Sequence, residues 1–194
     1  MSSSAADPWE ARLVARFRQG DVRALETLFD RYADRALGLA VRLTETREDA
    51  EEVAGEAFVR AFRYARTFTG GDGESFGPWL FRIVRNLAAD RRRQLRLPTL
   101  SLDAPGAEHL ADARAPLPAE ELTRNEERRD LLDALDALPE EQKTVVTLCD
   151  LEHVPHAHAA LVLGRSVSAT KSLLYRARRA LRDRLIERWG ENTP

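Results

Sequence analysis

Residues 68–96 read FTGGDGESFGPWLFRIVRNLAADRRRQLR, and the rest of the chain is organised around this stretch. A Gly-rich loop, 70–77, ends at Pro78, a residue well suited to the first turn of a helix. The apolar residues that follow recur at helical spacing and can pack against a neighbouring helix: Trp79, Leu80, Ile83, Val84 and Leu87. The same segment carries six arginines: Arg82, Arg85, Arg91, Arg92, Arg93 and Arg96. An arginine-rich helix face is typical of contact with a phosphate backbone, and the alternative is a solvated basic face on an ordinary core helix.

Charge is distributed unevenly along the chain. The 194 residues carry a net charge of only −2. Between Asp103 and Glu152 there are 14 acidic and 5 basic residues, whereas the segment from Arg165 to Arg188 holds 8 basic residues against 2 acidic ones. Two basic helices separated by an acidic middle indicate two separate contacts with a polyanion.

The composition also bounds the cellular context. Cys149 is the single cysteine, so no intrachain disulfide can form, which fits a reducing compartment. No apolar run approaches the ~20 residues that cross a bilayer, and residues 1–12 lack the apolar core of a signal peptide. We therefore expect a cytoplasmic protein with no direct membrane insertion.

No segment shows the alternation of a strand, and the pattern predicts an all-α fold of two small helical domains. The first domain is expected at 1–96 and the second at 119–194. Between them, 97–118 is rich in proline and has little periodicity, which predicts a flexible linker. In the second domain, a short helix at 157–163, then Gly164, a tight turn and a longer basic helix indicate a helix-turn-helix.

Capping residues place the individual helices. Helix starts are expected after Asp21, Thr46 and Ser166. The helix after Thr46 is acidic in its first half, which favours the helix dipole near the start. Glu56 lies beyond the first turn, where an acidic face also suits a basic protein partner. The expected buried stripe of the last helix comprises Val167, Thr170, Leu174, Ala177, Leu181 and Leu185.

Two paired motifs carry a resemblance to a known family. The first pair reads EDAEEVAGEAFVRAFR and then PWLFRIVRNLAADRRRQ, and the second reads LPEEQKTVVTLCDLE and then LVLGRSVSATKSLLYRARRALRDRL. The second pair resembles the C-terminal promoter-binding domain of bacterial RNA polymerase sigma factors, and the first resembles their other essential domain. With only a linker between them, the chain is similar to the extracytoplasmic-function (ECF) group of the sigma-70 family. The resemblance covers Leu25 to Arg93 and Leu131 to Arg184.

The resemblance implies a sigma factor that directs promoter recognition, promoter melting and transcription initiation, and that is not an enzyme. The implied partners are core RNA polymerase, promoter DNA and an anti-sigma factor, and no cofactor is implied. An acidic helix would dock on a basic coiled coil of the polymerase clamp through four residues: Asp49, Glu52, Val53 and Glu56.

The resemblance also implies two DNA contacts. The helix after the 69–76 loop would melt and read the minus-ten promoter element, and the loop would border the pocket of a base turned out of the stack. The implied minus-ten residues are Phe76, Arg82, Arg85, Asn86, Arg92 and Arg93. The final helix would enter the major groove at the minus-thirty-five element. Its implied contacts are Ser168, Lys171, Ser172, Tyr175, Arg176 and Arg179.

Some positions depart from the family pattern. Residues 156–160 read HAHAA, where the usual pattern is close to Tyr-Glu-Glu-Ile-Ala. Leu173 stands where the recognition helix often has arginine, and Gly55 stands where the polymerase-facing helix often has glutamine. These departures bear on minus-thirty-five recognition more than on polymerase docking.

The region that departs from the family pattern also contains several side chains of the types that bind metals. Cys149, His153, His156 and His158 lie within ten residues. They are a candidate zinc site or a redox-sensitive thiol, although their spacing matches no established motif and surface histidines are the simpler interpretation. Two alternatives therefore stand beside a sigma factor. One is a sigma-derived regulator that binds DNA or polymerase without starting transcription, and the other is a metal- or thiol-responsive switch.

Overall fold

The computed structural model describes residues 8–68, 75–96 and 119–191. Every regular element in these ranges is helical, so the all-α prediction is confirmed, and none of their helices is both long and apolar enough to span a bilayer. Residues 69–74, which include most of the Gly-rich loop at 70–77, and the linker predicted at 97–118 lie outside the described residues. The α-helices in these ranges are α1 (Pro8–Arg18), α2 (Val22–Leu43), α3 (Arg47–Arg63), α4 (Phe76–Arg96), α5 (Ala119–Asp136), α6 (Glu140–Val146), α7 (His156–Leu163) and α8 (Val167–Glu191). A short 3₁₀ helix, Ala65–Thr67, follows α3, and a π-helical turn, Thr147–Leu151, continues α6.

Side-chain caps start α2 and α3 where the sequence predicts them. The Asp21 carboxylate accepts hydrogen bonds from the backbone N–H groups of Arg23 and Ala24 at 3.0 and 3.3 Å. The Thr46 hydroxyl accepts from the N–H of Asp49 at 3.1 Å and donates to the Asp49 carboxylate at 2.9 Å. In the usual capping box, the side chain three residues after the cap accepts a hydrogen bond from the backbone N–H of the cap residue. Here the Asp49 carboxylate accepts from the threonine hydroxyl instead. Both caps satisfy N–H groups that have no partner within the helix.

The first core is the apolar cluster between the helices α1 to α4. Within it, an aromatic cluster joins α1, α2 and α4. Phe17 and Phe76 are fully buried, with ring centroids 5.3 Å apart. Phe76 also lies 5.5 Å from the Tyr32 ring, and Trp79 lies 4.7 Å from the Phe68 ring. Helix α4 therefore begins with core residues, and its apolar stripe is the face that closes the α1–α4 unit.

A second core, formed by side chains of α5 to α8, defines the C-terminal unit and contains the expected helix-turn-helix. Helix α7 ends at Gly164, whose φ of 65° is the left-handed conformation that ends many helices. Helix α8 begins after Ser166, whose hydroxyl oxygen accepts from the N–H of Ala169 at 3.1 Å. The turn and the start of α8 are therefore as predicted.

The buried stripe of α8 differs from the prediction at two positions. Val167 is 41% exposed, and Leu173 is only 5% exposed. Thr170, Leu174 and Ala177 are also buried, so the stripe follows the i, i+3, i+4, i+7 spacing from position 170. Leucine in place of the family's frequent arginine at position 173 thus serves the core of the C-terminal unit.

The two helical units pack against each other along α7. Leu148, Val154, Ala159 and Val162 belong to the same buried apolar cluster as the α1–α4 core. From the same helix, Leu163 belongs to the second core. The sequence predicts two units and a linker, and the direct packing between the units is an observation of the structure.

The approach of Gly77 to Tyr32 generates a stability prediction. A Cβ at Gly77 would lie 2.7 Å from Cε1 of Tyr32, a side chain held in the aromatic cluster. Overpacking of this kind typically costs about 1–3 kcal/mol, so we expect Gly77→Ala to lower the free energy of unfolding by that amount. Urea unfolding followed by circular dichroism provides the measurement.

Gly55→Ala is the matched control. Gly55 is exposed on α3, and nothing lies within 4 Å of a Cβ placed there. We expect this substitution to raise the free energy of unfolding by about 0.5–1 kcal/mol, because alanine favours the helix. Two variants of equal stability would contradict the close approach at Gly77.

Candidate nucleic-acid and polymerase interface

The arginines of α4 serve different contacts. Arg91 Nε donates to Asp49 Oδ1 at 2.6 Å, and Arg91 Nη2 lies 3.1 Å from Glu52 Oε2. Arg93 Nη2 donates to Asp90 Oδ1 at 2.6 Å, and 75% of the Arg93 side chain is exposed. Arg91 therefore holds α4 against α3, whereas Arg93 stays accessible from solvent.

Arg85 and Arg92 reach across to the second unit. Arg85 Nη1 donates to the backbone carbonyl of Val162 at 2.9 Å, and its Nη2 donates to the Asn86 side-chain oxygen at 3.2 Å. Arg92 forms an ion pair with Glu140 at the start of α6, and only 19% of the Arg92 side chain is exposed. Two of the side chains predicted to bind minus-ten DNA are thus occupied by contacts between the units.

Phe76 is the one predicted minus-ten contact that the structure places in the core. Its side chain is fully buried in the aromatic cluster, so it presents no surface to DNA in this conformation. Asn86 is exposed on the same helix, and Arg82 is half-buried. The 69–76 loop predicted to border the base pocket lies outside the described residues up to position 74. An aromatic residue at a helix start has the same local pattern whether it faces a core or a base, so the sequence alone does not separate the two positions.

Helix α3 exposes only half of its predicted polymerase contact. The side chains of Glu52 and Glu56 are 68% and 43% exposed. Asp49 and Val53 are only 6% and 5% exposed. Asp49 is committed to the Thr46 cap and the Arg91 ion pair, and Val53 packs in the first core. Of the four predicted contact residues, only the two glutamates are therefore accessible to a partner in this structure, while the buried pair holds the helix in place.

Two further glutamates belong to the exposed acidic side of α3. Glu48 and Glu51 are exposed, and Glu51 pairs with Arg47 at 2.9 Å. The predicted contact set omits both residues. The run of acidic residues in the sequence makes both glutamates candidates, and knowledge of the buried side of the helix shows that they are accessible.

The recognition face of α8 is open. All six side chains predicted for the minus-thirty-five element belong to exposed residues: Ser168, Lys171, Ser172, Tyr175, Arg176 and Arg179. Arg178 lies on a neighbouring side and makes a two-point ion pair with Asp150 at 3.0 and 2.5 Å. This pair connects α8 to the π-helical turn, and no local spacing predicts it because the partners are 28 residues apart.

Comparison with known proteins matches both units. The family model for Sigma-70 region 2 matches residues 28–97, and the model for Sigma-70, region 4 matches residues 128–181. The chain is 32% identical over 181 residues to the ECF RNA polymerase sigma-E factor of Haemophilus influenzae, covering 89% of this chain and 93% of that one. The chain belongs to the ECF RNA polymerase sigma factors. It therefore acts in transcription initiation, as a factor for promoter-dependent synthesis by RNA polymerase.

Further relatives of this sigma factor agree in fold. It is 32% identical over 180 residues to the RNA polymerase sigma-H factor of Pseudomonas aeruginosa, covering 89% of this chain and 91% of that one. The structure of CnrH in complex with the cytosolic domain of CnrY matches with a TM-score of 0.67 at 25% identity, covering 90% of this chain and 95% of that chain. The sigma factor RpoE of Bartonella quintana, solved with the anti-sigma factor NepR, matches with a TM-score of 0.60 at 21% identity, covering 82% of this chain and 95% of that chain.

The geometry gives no support to a metal or thiol switch. Cys149 is half-buried and packs against both cores. Burial raises the pKa of its thiol to about 11, and the nearby Asp150 carboxylate acts in the same direction. A thiol that resists ionisation is a weak nucleophile near neutral pH. Within the described ranges, no three His, Cys, Asp or Glu side chains are placed to hold one metal ion.

The raised thiol pKa leads to a reactivity prediction. We expect Cys149 to be alkylated slowly by iodoacetamide in the folded sigma factor at pH 8, with the rate followed by mass spectrometry. A pKa of about 11 in place of 9.0 leaves roughly a hundredfold less thiolate at that pH. The same chain in concentrated urea is the control and should react faster. Equal rates in the two conditions would reopen the thiol-switch hypothesis.

Proposed function

We propose that this sigma factor attaches to core RNA polymerase through the exposed glutamates of α3, above all Glu52 and Glu56. An acidic helix face suits a basic partner because complementary charge steers the encounter and sets the orientation of docking. Asp49 and Val53 support this face from within the α1–α4 unit. The Glu52 carboxylate already pairs with Arg91, so polymerase side chains would compete with that contact.

The second part of the proposal assigns α4 to the minus-ten element. Phosphate contacts would hold the opened strand while a base is turned out of the stack. The proposed side chains are Arg82, Arg85, Asn86, Arg92 and Arg93. Arg85 and Arg92 must first leave the Val162 carbonyl and Glu140.

The third part assigns α8 to the major groove of the minus-thirty-five element. Lys171 and Arg176 are suited to guanine edges or phosphates, and Ser172 and Tyr175 are suited to shorter polar or apolar contacts. The observation that carries the proposal is the open recognition face, on which all six predicted contact residues are exposed. The ion pair between Arg178 and Asp150 holds the neighbouring side of the helix against the π-helical turn.

An anti-sigma factor is the second proposed protein partner. RpoE was solved with the anti-sigma factor NepR, and CnrH was solved with the cytosolic domain of CnrY. We also propose a cytoplasmic location, because polymerase and promoter DNA are found there. The polymerase supplies the catalytic chemistry, so no enzymatic activity of the sigma factor itself is proposed.

Run-off transcription tests the proposal as a whole. The chain is mixed with core RNA polymerase and a template whose start site has been mapped after overexpression. We expect a defined transcript only when both proteins are present. Binding to polymerase or DNA without any transcript would identify a regulator that lacks initiation activity and would overturn the proposal.

Charge reversal on α3 tests the polymerase contact. We expect the double variant Glu52→Lys, Glu56→Lys to bind core polymerase at least tenfold more weakly, a change of about 1.4 kcal/mol, because two attractive contacts become repulsive. Surface plasmon resonance on immobilised polymerase measures the change. Glu126→Lys, Glu127→Lys alters the same charge on exposed residues of α5 and should bind like the unsubstituted chain. Equal loss in both double variants would point to net charge as the cause.

A further inference from the structure

The basic residues of α8 differ in how they are paired. Within the described ranges, Lys171 and Arg176 on the recognition face make no ion pair. Arg178 instead binds a carboxylate of another element, since its Nε and Nη2 donate to the two oxygens of Asp150 at 3.0 and 2.5 Å. The Arg178 side chain is 57% exposed, so the pair lies at the surface of the C-terminal unit. One arginine of α8 is therefore neutralised beside the recognition face.

Arg178 lies at the edge of the recognition face. Successive residues of an α-helix are ~100° apart, so position 178 falls within ~20° of Lys171 around the axis, about two turns further along. The walls of the major groove are the two phosphate backbones, and a cation at the edge of an inserted helix is suited to one of them. An unpaired Arg178 would therefore add a DNA contact that carries no sequence information.

The turn that presents Asp150 to α8 is fixed by backbone hydrogen bonds and by burial. The N–H of Glu152 donates to the carbonyl of Thr147 at 2.9 Å, which closes the π-helical turn. The N–H of Val154 donates to the carbonyl of Leu148 at 2.7 Å. The side chains of Thr147 and Leu148 are fully buried. The carboxylate is therefore carried by a segment that is anchored in the interior.

The ion pair adds no net charge to the DNA-binding side of α8. Protein–DNA affinity depends on salt because each cation that neutralises a phosphate releases condensed counterions. A guanidinium that is matched to a carboxylate has no net charge for this exchange. To bind a phosphate, Arg178 would have to leave Asp150, and the unpaired carboxylate would then be repelled by the DNA. The pair therefore withholds one arginine from the DNA backbone.

We propose that Asp150 is a specificity-determining residue, which limits the sequence-independent affinity of α8 for DNA by holding Arg178 away from the phosphates. Lys171 and Arg176 remain available to base edges and phosphates. The restraint favours recognition because a chromosome offers a large excess of non-specific sites, which compete according to the sequence-independent affinity. This inference rests on the proposed function, since it takes α8 to be a DNA-binding helix.

The test measures how the full chain binds a fluorescein-labelled DNA duplex of mixed sequence, by fluorescence anisotropy at several salt concentrations. Asp150→Asn keeps the size of the side chain and removes its charge. We expect tighter binding and a slope of log affinity against log salt that is steeper by about 0.9, the value for one added phosphate contact. The gain in affinity should then be about 3.5-fold larger at 50 mM salt than at 200 mM salt.

Two further variants separate the restraint from a general effect of charge. Glu127→Gln removes the same charge from the exposed side of α5 and should keep the slope of the unsubstituted chain. The double variant Asp150→Asn, Arg178→Gln replaces the ion pair by two uncharged amides. It should also keep the unsubstituted slope, because the arginine that the single variant releases is gone. Circular dichroism checks that helix content is retained in each variant.

Two results would overturn the restraint. A double variant with a shallower slope than the unsubstituted chain would show that Arg178 already binds phosphate beside Asp150. An Asp150→Asn chain that unfolds more easily but keeps the unsubstituted affinity and slope would identify an ion pair with a structural role alone.

Arg176→Gln distinguishes failure of the restraint from failure of the proposed function. It removes a cation of the recognition face and should make the slope shallower by about 0.9. An unchanged slope in this variant would mean that α8 does not bind DNA, and the proposed function would fail with it. A shallower slope there, together with an unchanged slope in Asp150→Asn, would overturn the restraint alone.

Discussion

Helix α7 contributes apolar side chains to two cores at once, and this double burial determines how the units of the molecule meet. Ala159 and Val162 face the α1–α4 core, while Leu163 completes the core formed with α6 and α8. Separation of α7 from either core would expose apolar surface to water, and each Å² exposed costs about 25 cal/mol of free energy. Small side chains matter as well, because they allow two helix axes to approach closely. An isoleucine at position 159 would have filled that space with its own side chain.

The basic helix α4 shows how one residue type can serve three purposes. Arg91 stabilises its own domain by pairing with the buried Asp49. Arg85 and Arg92 hold the second unit, and Arg93 remains largely in solvent. Only the last arrangement corresponds to a solvated basic face. Fewer arginines of α4 are therefore freely exposed in this structure than the sequence alone suggests.

The contacts between the units are individually modest. A single hydrogen bond contributes about 0.5–1.5 kcal/mol net, and a partly exposed ion pair about 0–1 kcal/mol. The same guanidinium groups make comparable or stronger bonds to phosphate oxygens. Exchange of one acceptor for another therefore costs little free energy.

Local patterns in the sequence were sufficient for several features. Helical periodicity and the caps at Asp21, Thr46 and Ser166 determined the all-α fold and the starts of its helices, because these signals act within one or two turns. The two paired motifs determined the family, which the matches to region 2 and region 4 confirmed. The exposed side of α8 was predictable for the same reason, since a helix with one buried stripe leaves its other residues in solvent.

Only the tertiary structure decided which polar and aromatic side chains are buried. Phe76 and Asp49 are implied as contact residues by the family resemblance, and both lie in the interior. Arg91 and Asp49 are separated by 42 residues, Arg85 and Val162 by 77, and Arg35 and Glu152 by 117. Periodicity shows that a helix has an apolar face, but it carries no information on what covers that face. Burial is a property of two surfaces in contact, and the second surface comes from a distant part of the chain.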